Sequence, residues 1–144
     1  MKIEFRRDPS AQQVRVCIVA RERSAEVEEI IRKLGGGESL TAYGERGVVR
    51  LGMDEVIRIY TQQRHVLVDS DRGTFSLRAR LYELEERLDE NAFVRISNSE
   101  IVARNRILSL DFSLAGTIRL SLKGGTETYV SRRYVSRIRR LFEK

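Results

Sequence analysis

The sequence predicts a mostly β protein with short helices, α+β overall, with a strand–strand–helix extension at its N-terminal end. Three observations predict it. Only five Phe, five Tyr and no Trp stand among an apolar share of 41%, so the core must rest on Val, Ile and Leu. From position 39 onward, short apolar runs alternate with Gly, Asn, Asp and Ser clusters, the signature of strands joined by tight turns. Helical spacing is confined to three short stretches, near 24–34, 81–88 and 132–142. A chain of 144 residues and 16.7 kDa is one ordinary domain with a small appendage.

Residues Lys2–Arg7 and Val14–Ala20 read as strands around Asp8-Pro9-Ser10, where proline presets a turn. In Val14–Ala20 the alternation gives way after Arg15 to a continuous apolar run, which suggests a strand covered on both faces, with Cys17 in the core. Ser24 to Leu34 reads as a helix: Val27, Ile30, Ile31 and Leu34 share a face, and Glu28–Arg32 and Glu29–Lys33 are i,i+4 pairs. Gly35-Gly36-Gly37 supplies the stop and the one boundary, between an extension over 1–37 and a domain over 38–144. Strands follow at Ser39–Tyr43, Val48–Leu51, Val56–Thr61, His65–Ser70 and Thr74–Leu77, separated by turns at Gly44-Glu45-Arg46-Gly47 and Asp71-Arg72-Gly73. Leu81, Leu84 and Leu88 mark a short helix. Phe93–Ile96 leads into the polar Ser97-Asn98-Ser99, and Arg106–Ser113, Thr117–Leu122 and Thr126–Val130 are the last strands, with Gly124-Gly125 as a two-residue hairpin signal. Ser131 is placed to N-cap a final helix with Tyr134, Val135, Ile138, Leu141 and Phe142 on one arc.

The net charge of +6 is unevenly placed. Residues 1–90 hold 16 basic and 17 acidic side chains, net −1, whereas residues 91–144 hold 11 and 4, net +7. Arg accounts for 23 of the 27 basic residues, and Arg is the bidentate ligand for phosphate and guanine. On the last helix Arg132, Arg133, Arg137, Arg139 and Arg140 form a face with no acidic residue among them. Solvated faces usually mix signs, so this one points to an anionic partner.

The chemistry of several enzyme classes is missing. The single histidine, His65, lies in a strand-like run, so no Ser-His-Asp or Cys-His site is indicated. Neither Gly-x-x-x-x-Gly-Lys nor Gly-x-Gly-x-x-Gly occurs. Asp69-Ser70-Asp71-Arg72-Gly73 looks faintly like a calcium loop, but Arg80 stands where Glu is needed, and it reads as a turn. The acidic pairs Glu28/Glu29, Glu85/Glu86 and Asp89/Glu90 read as solvated surface. One cysteine suits a reducing compartment, and the early charges of Met1–Arg7 and the absence of a long apolar window lead us to expect a cytoplasmic protein without catalysis, metal or cofactor.

Four segments carry a family resemblance, in order. They are Asp54-Glu55-Val56-Ile57-Arg58-Ile59-Tyr60; Leu81-Tyr82-Glu83-Leu84-Glu85-Glu86-Arg87-Leu88; Phe93-Val94-Arg95-Ile96-Ser97-Asn98-Ser99-Glu100-Ile101-Val102; and Val130-Ser131-Arg132-Arg133-Tyr134. From Met53 to Leu141 the chain resembles a LytTR domain, the DNA-binding module of LytR/AlgR-type bacterial transcription regulators. The resemblance implies antiparallel β-sheets with short helices, and DNA read in the major groove through loops and strand ends. It implies base contacts from Asn98 and Arg133, with Arg64 and His65 as a third region. Ser97, Ser99, Arg104, Arg106, Ser131, Arg132, Arg137, Arg139 and Arg140 would then contact phosphates. Ser97 stands where the family usually has His, and Ala103 where it has Asn. The implied partner is double-stranded promoter DNA, with a homodimer on paired direct repeats and no small-molecule substrate. About 50 residues precede the domain, too few for a receiver, as in stand-alone regulators paired with a small membrane inhibitor. The other readings are a protein-interaction module worked through residues 1–37 by a membrane or cytoplasmic partner, and an RNA-binding β module.

Overall fold

The computed structural model describes residues 1–12, 14–34 and 39–143. Its contacts divide the chain into two units, Met1–Gly37 and Glu38–Lys144.

The first unit holds one helix, α1 (Ala25–Lys33), and no strand among its described residues. Ser24 caps α1 by accepting from Val27 N at 3.3 Å, and Glu29 pairs with Lys33 at 3.5 Å. Glu28 pairs with Arg23; the side chain of Arg32 and the triglycine lie outside the described residues. The Asp8 turn forms, closed by Ala11 N to Asp8 O at 3.1 Å. The two strands expected at Lys2–Arg7 and Val14–Ala20 do not: Phe5, Val14 and Val19 are each more than nine-tenths exposed, and Cys17 is exposed too. An apolar run becomes a strand only when a neighbour takes its backbone hydrogen bonds, and among the described residues no strand pairs with these.

The second unit is antiparallel throughout. Its strands are β1 (Ser39–Gly44), β2 (Gly47–Gly52), β3 (Val56–Gln62), β4 (His65–Ser70), β5 (Gly73–Leu77), β6 (Phe93–Ser97), β7 (Glu100–Ala103), β8 (Ile107–Asp111), β9 (Ile118–Leu122) and β10 (Glu127–Val130). Helix α2 (Leu81–Arg87) stands between β5 and β6, and α3 (Val135–Phe142) follows β10. Seven strands form one sheet in the order β2-β1-β5-β4-β3-β7-β6, and three form a second in the order β10-β9-β8. The β9–β10 turn uses Lys123 to Thr126 instead of two residues, with Gly124 and Gly125 both at positive φ. Arg106, expected to begin a strand, instead ends a 3-10 turn over Arg104–Arg106, and β8 starts one residue later.

Two buried clusters explain the layering. Leu81 and Leu84 of α2, with Leu88 just past its end, pack with Ile59, Val68, Phe93, Ile101 and Ala103 on one face of the large sheet. Val94, Ile96 and Val102 turn the other way, onto Ile118, Leu120, Leu122, Val130 and Ile138. Strand period 2 thus buries β6 and β7 on both faces. That double cover makes β7 buried along its whole length although it has no alternation to mark it as a strand.

The final helix starts later than its spacing suggests. Arg132–Tyr134 forms a 3-10 turn, closed by Tyr134 N to Ser131 O at 2.9 Å, and the Ser131 side chain makes no capping bond. Ile138 is fully buried, but Leu141, expected on the packed arc, is exposed.

Candidate nucleic-acid interface

Three of the regions singled out in the sequence meet at one end of the large sheet. Tyr60 lies opposite Glu100 in the β3–β7 ladder, and Thr61 N donates to Ser99 O at 2.9 Å, which sets the Ser97–Ser99 loop beside the β3–β4 turn. Ser131 N donates to Ile96 O at 2.9 Å, which brings the start of the 3-10 turn to the same loop. Tyr134 Oη lies 3.3 Å from Asn98 Oδ1 and donates to it. The loop closes on itself through Ser99 N to Ser97 Oγ and the two serine hydroxyls, all at 3.2 Å.

The side chains at this end face solvent. Asn98, Arg64, His65, Ser131, Arg132 and Arg133 are exposed. Arg64 and Arg133 make no hydrogen bond or ion pair among the described residues, and Arg132 lies over Gly116, in the β8–β9 connection. The β3–β4 turn places Gln63 and Arg64 at φ 52° and 68°. Successive positive φ values make a type I′ hairpin, a geometry that favours Asn-Gly. Replacing Arg64 by Gly should therefore raise stability in urea unfolding by about 1 kcal/mol; an unchanged or lowered midpoint would show that Arg64 holds a stabilising contact.

Helix α3 carries less free charge than its spacing suggests. Arg137 lies 3.8 Å from Glu85 of α2, and Arg139 pairs with Glu143 at 2.9 Å and lies over the Phe112 ring. Two of the five arginines thus have acidic partners, which corrects the reading of an unpartnered face. Arg132, Arg133 and Arg140 keep none among the described residues.

Arg104 and Arg106 sit elsewhere. Arg104 N donates to Ala92 O at 2.8 Å, and its guanidinium lies over Phe142. Arg106 forms a bidentate pair with Asp71 at 2.6 and 2.7 Å and donates to Asp54 O at 2.8 Å. The hydrogen bond from Arg106 holds the Asp71 carboxyl below its ordinary range, and Asp71 raises the Arg106 guanidinium in turn. Asp71 follows β4 at the end away from His65, about 20 Å off at strand rise. These two arginines do not join the cluster, and Arg106 is neutralised where it stands.

Beneath the exposed end lies a polar network that the sequence did not disclose. Arg58 donates to Asp69 at 2.8 Å and to Glu100 at 3.3 Å, and Tyr60 and Thr74 donate to Asp69 at 3.1 and 2.7 Å. Glu100, buried on β7, also accepts from Thr128 of β10 at 2.7 Å, which ties the two sheets together. Burial lowers the Arg58 guanidinium, but the Asp69 hydrogen bond and the Glu100 charge outweigh it and the net shift is upward. Burial and the Asp69 charge push Tyr60 up. Among the described residues no helix is long and apolar enough to cross a membrane, and no group of three or more His, Cys, Asp and Glu could hold a metal ion.

Known proteins resemble this chain over the same region. The profile of the LytTr DNA-binding domain matches residues 46–143. An uncharacterized HTH-type transcriptional regulator of Staphylococcus aureus strain NCTC 8325 is 34% identical over 109 residues, which is 76% of this chain and 74% of the relative. Its counterpart in strain MRSA252 is 33% identical over the same length. Those names include the helix-turn-helix; in this chain strands separate each α-helix from the next. A solved LytTr DNA-binding domain, from a Bacillus cereus protein described as a methyl-accepting/DNA response regulator, superposes with a TM-score of 0.71 at 24% identity, over 74% of this chain and 97% of that one. With mostly antiparallel sheets, three short helices and a family match across two thirds of its length, the chain belongs to the LytTr DNA-binding domain family, a family of transcriptional regulators and not of enzymes.

Proposed function

We propose that this protein is a sequence-specific, double-stranded DNA-binding transcriptional regulator that reads the major groove with the Ser97–Ser99 loop, the start of the 3-10 turn at Arg132, and the β3–β4 turn. One observation carries the reading: Asn98, Arg133 and Arg64 converge, exposed, at one end of the large sheet. Asn can pair bidentately with adenine and Arg with guanine N7 and O6. Ser97, Ser99, Ser131, Arg132, Arg137, Arg139 and Arg140 flank this end and α3 and would hold phosphates, which fixes register without reading sequence. His65 begins β4 beside Arg64 and is the weaker base contact. Arg104 and Arg106 are left out of the proposed surface. Regulation would act by occupancy of promoter DNA, with two copies on paired direct repeats.

The salt dependence of binding tests this. With about four phosphates neutralised from α3 and the 3-10 turn, log affinity against log salt should fall with a slope of about −3 to −4. The measurement is titration of the 144-residue chain with a duplex that it enriches from a randomised library, at several salt concentrations. A flat plot would remove the reading.

A second reading concerns residues 1–37. Met1, Ile3, Phe5, Val14, Val16 and Val19 are all exposed, more apolar surface than a short segment leaves in water without a partner. This favours a protein-docking role for the segment, alongside DNA binding; a small membrane inhibitor is one such partner.

A further inference from the structure

Arg95 is the charged residue on a strand otherwise committed to packing. It lies on the same face of β6 as Phe93, turned toward α2, and its side chain is 11% exposed. Its guanidinium is fully engaged on three sides. Nε donates to Ser97 O at 2.7 Å, Nη2 to Asn98 O at 2.8 Å, and Nη1 to Glu85 Oε2 of α2 at 2.6 Å. The register between β6 and β7 shifts between Arg95 and Ser97, so the ladder is irregular where the loop begins. The arginine fork supplies the acceptors' partners in its place.

From this geometry we infer that Arg95, anchored by Glu85, is a positioning residue that sets base discrimination by the Ser97–Ser99 loop without itself touching DNA. The inference rests on the proposed reading of that loop. A planar guanidinium that holds two successive carbonyls fixes the orientation of both peptide planes around Asn98, and so the direction of its side chain. Glu85 fixes the guanidinium in turn, which makes α2 a support of the loop through Arg95. Phosphate contacts tolerate small displacements of a flexible cation; a bidentate base contact does not. Loosening the fork should therefore act on selected DNA and spare random DNA. Lysine keeps the charge but is a point donor on a flexible stem and cannot bridge the three acceptors.

The test is competition binding with the library-selected duplex and its scrambled counterpart at one fixed salt concentration, for the 144-residue chain and its Arg95→Lys, Asn98→Ala and double variants. Arg95→Lys should lower affinity for the selected duplex about tenfold, the scale of the ordering cost it restores, and change the scrambled duplex by less than about twofold. In the double variant the two losses should overlap and not multiply, because both act through Asn98. Glu85→Gln, which weakens the anchor without touching the loop, should lower discrimination in the same direction and serves where Arg95→Lys fails to fold. If Asn98→Ala leaves discrimination intact, the loop does not read bases and the proposed function loses its first contact. If Asn98→Ala abolishes discrimination while folded Arg95→Lys and Glu85→Gln retain it, or if the losses multiply, the reading of the loop stands and the positioning role of Arg95 is overturned.

Discussion

Replacing Glu100 by Ala should destabilise the domain by about 2–3 kcal/mol. Glu100 is 8% exposed and accepts from Arg58 on β3 and Thr128 on β10. Breaking a buried ion pair typically costs 3–5 kcal/mol, because the surviving charge is left uncompensated. Here the cost is lower. Arg58 keeps its 2.8 Å bond to Asp69 and its place over the Tyr60 ring, so the group stranded is chiefly the Thr128 hydroxyl. Glu100→Gln keeps an oxygen for Thr128 and should cost about 1 kcal/mol, the share owed to charge. Urea unfolding monitored by circular dichroism would measure both. A loss under 0.5 kcal/mol for Glu100→Ala would mean that the bridge between the sheets is ornamental. Because β7 follows the Asn98 loop directly and β10 runs into Ser131, the same change should also loosen the spacing between the two proposed reading elements.

Asn98→Ala and Arg133→Ala should each lose about 1–3 kcal/mol on the selected duplex and little on scrambled DNA, since a bidentate base contact discriminates as well as binds. Arg133 makes no competing pair in the free protein among the described residues, so DNA need not displace one. Asn98 already accepts from Tyr134, which leaves its amide nitrogen free to donate. The double change Arg139→Ala with Arg140→Ala should weaken both duplexes alike and flatten the salt slope by about 1 to 2. The lower value is expected because Arg139 is already paired with Glu143. Arg140 lies about 12 Å along the helix axis from Arg133, beyond easy reach of the same base pairs. Should Arg133→Ala and Asn98→Ala lower both affinities equally in folded protein, the base-reading roles would be wrong and only a basic surface would remain.

Most strands of the second unit were legible because their side chains alternate and their turns carry Gly, Asn or Asp; His65–Ser70 is placed to the residue. Two of the misses share one cause. β7 is buried on both faces and apolar from Ile101 to Ala103, so no alternation marks it, and it is a strand because α2 lies on one side and the small sheet on the other. Residues 14–20 are also largely apolar, but among the described residues no strand pairs with them, and all but Ile18 are exposed. Composition reports what a segment can bury; it does not report whether anything arrives to bury it.

The same division runs through the candidate site. Sequence alone determined the family, the excess of positive charge in the last third, and the residue types suited to reading bases, because these depend on identity and order. Only the tertiary structure decided which charges are free. It neutralised Arg106 with Asp71 across 35 positions and set Glu85 between Arg95 and Arg137. It also buried Glu100 where two sheets meet. An ion pair's partner lies wherever the chain folds back, and Coulomb attraction acts over a few ångströms of space, not along the sequence.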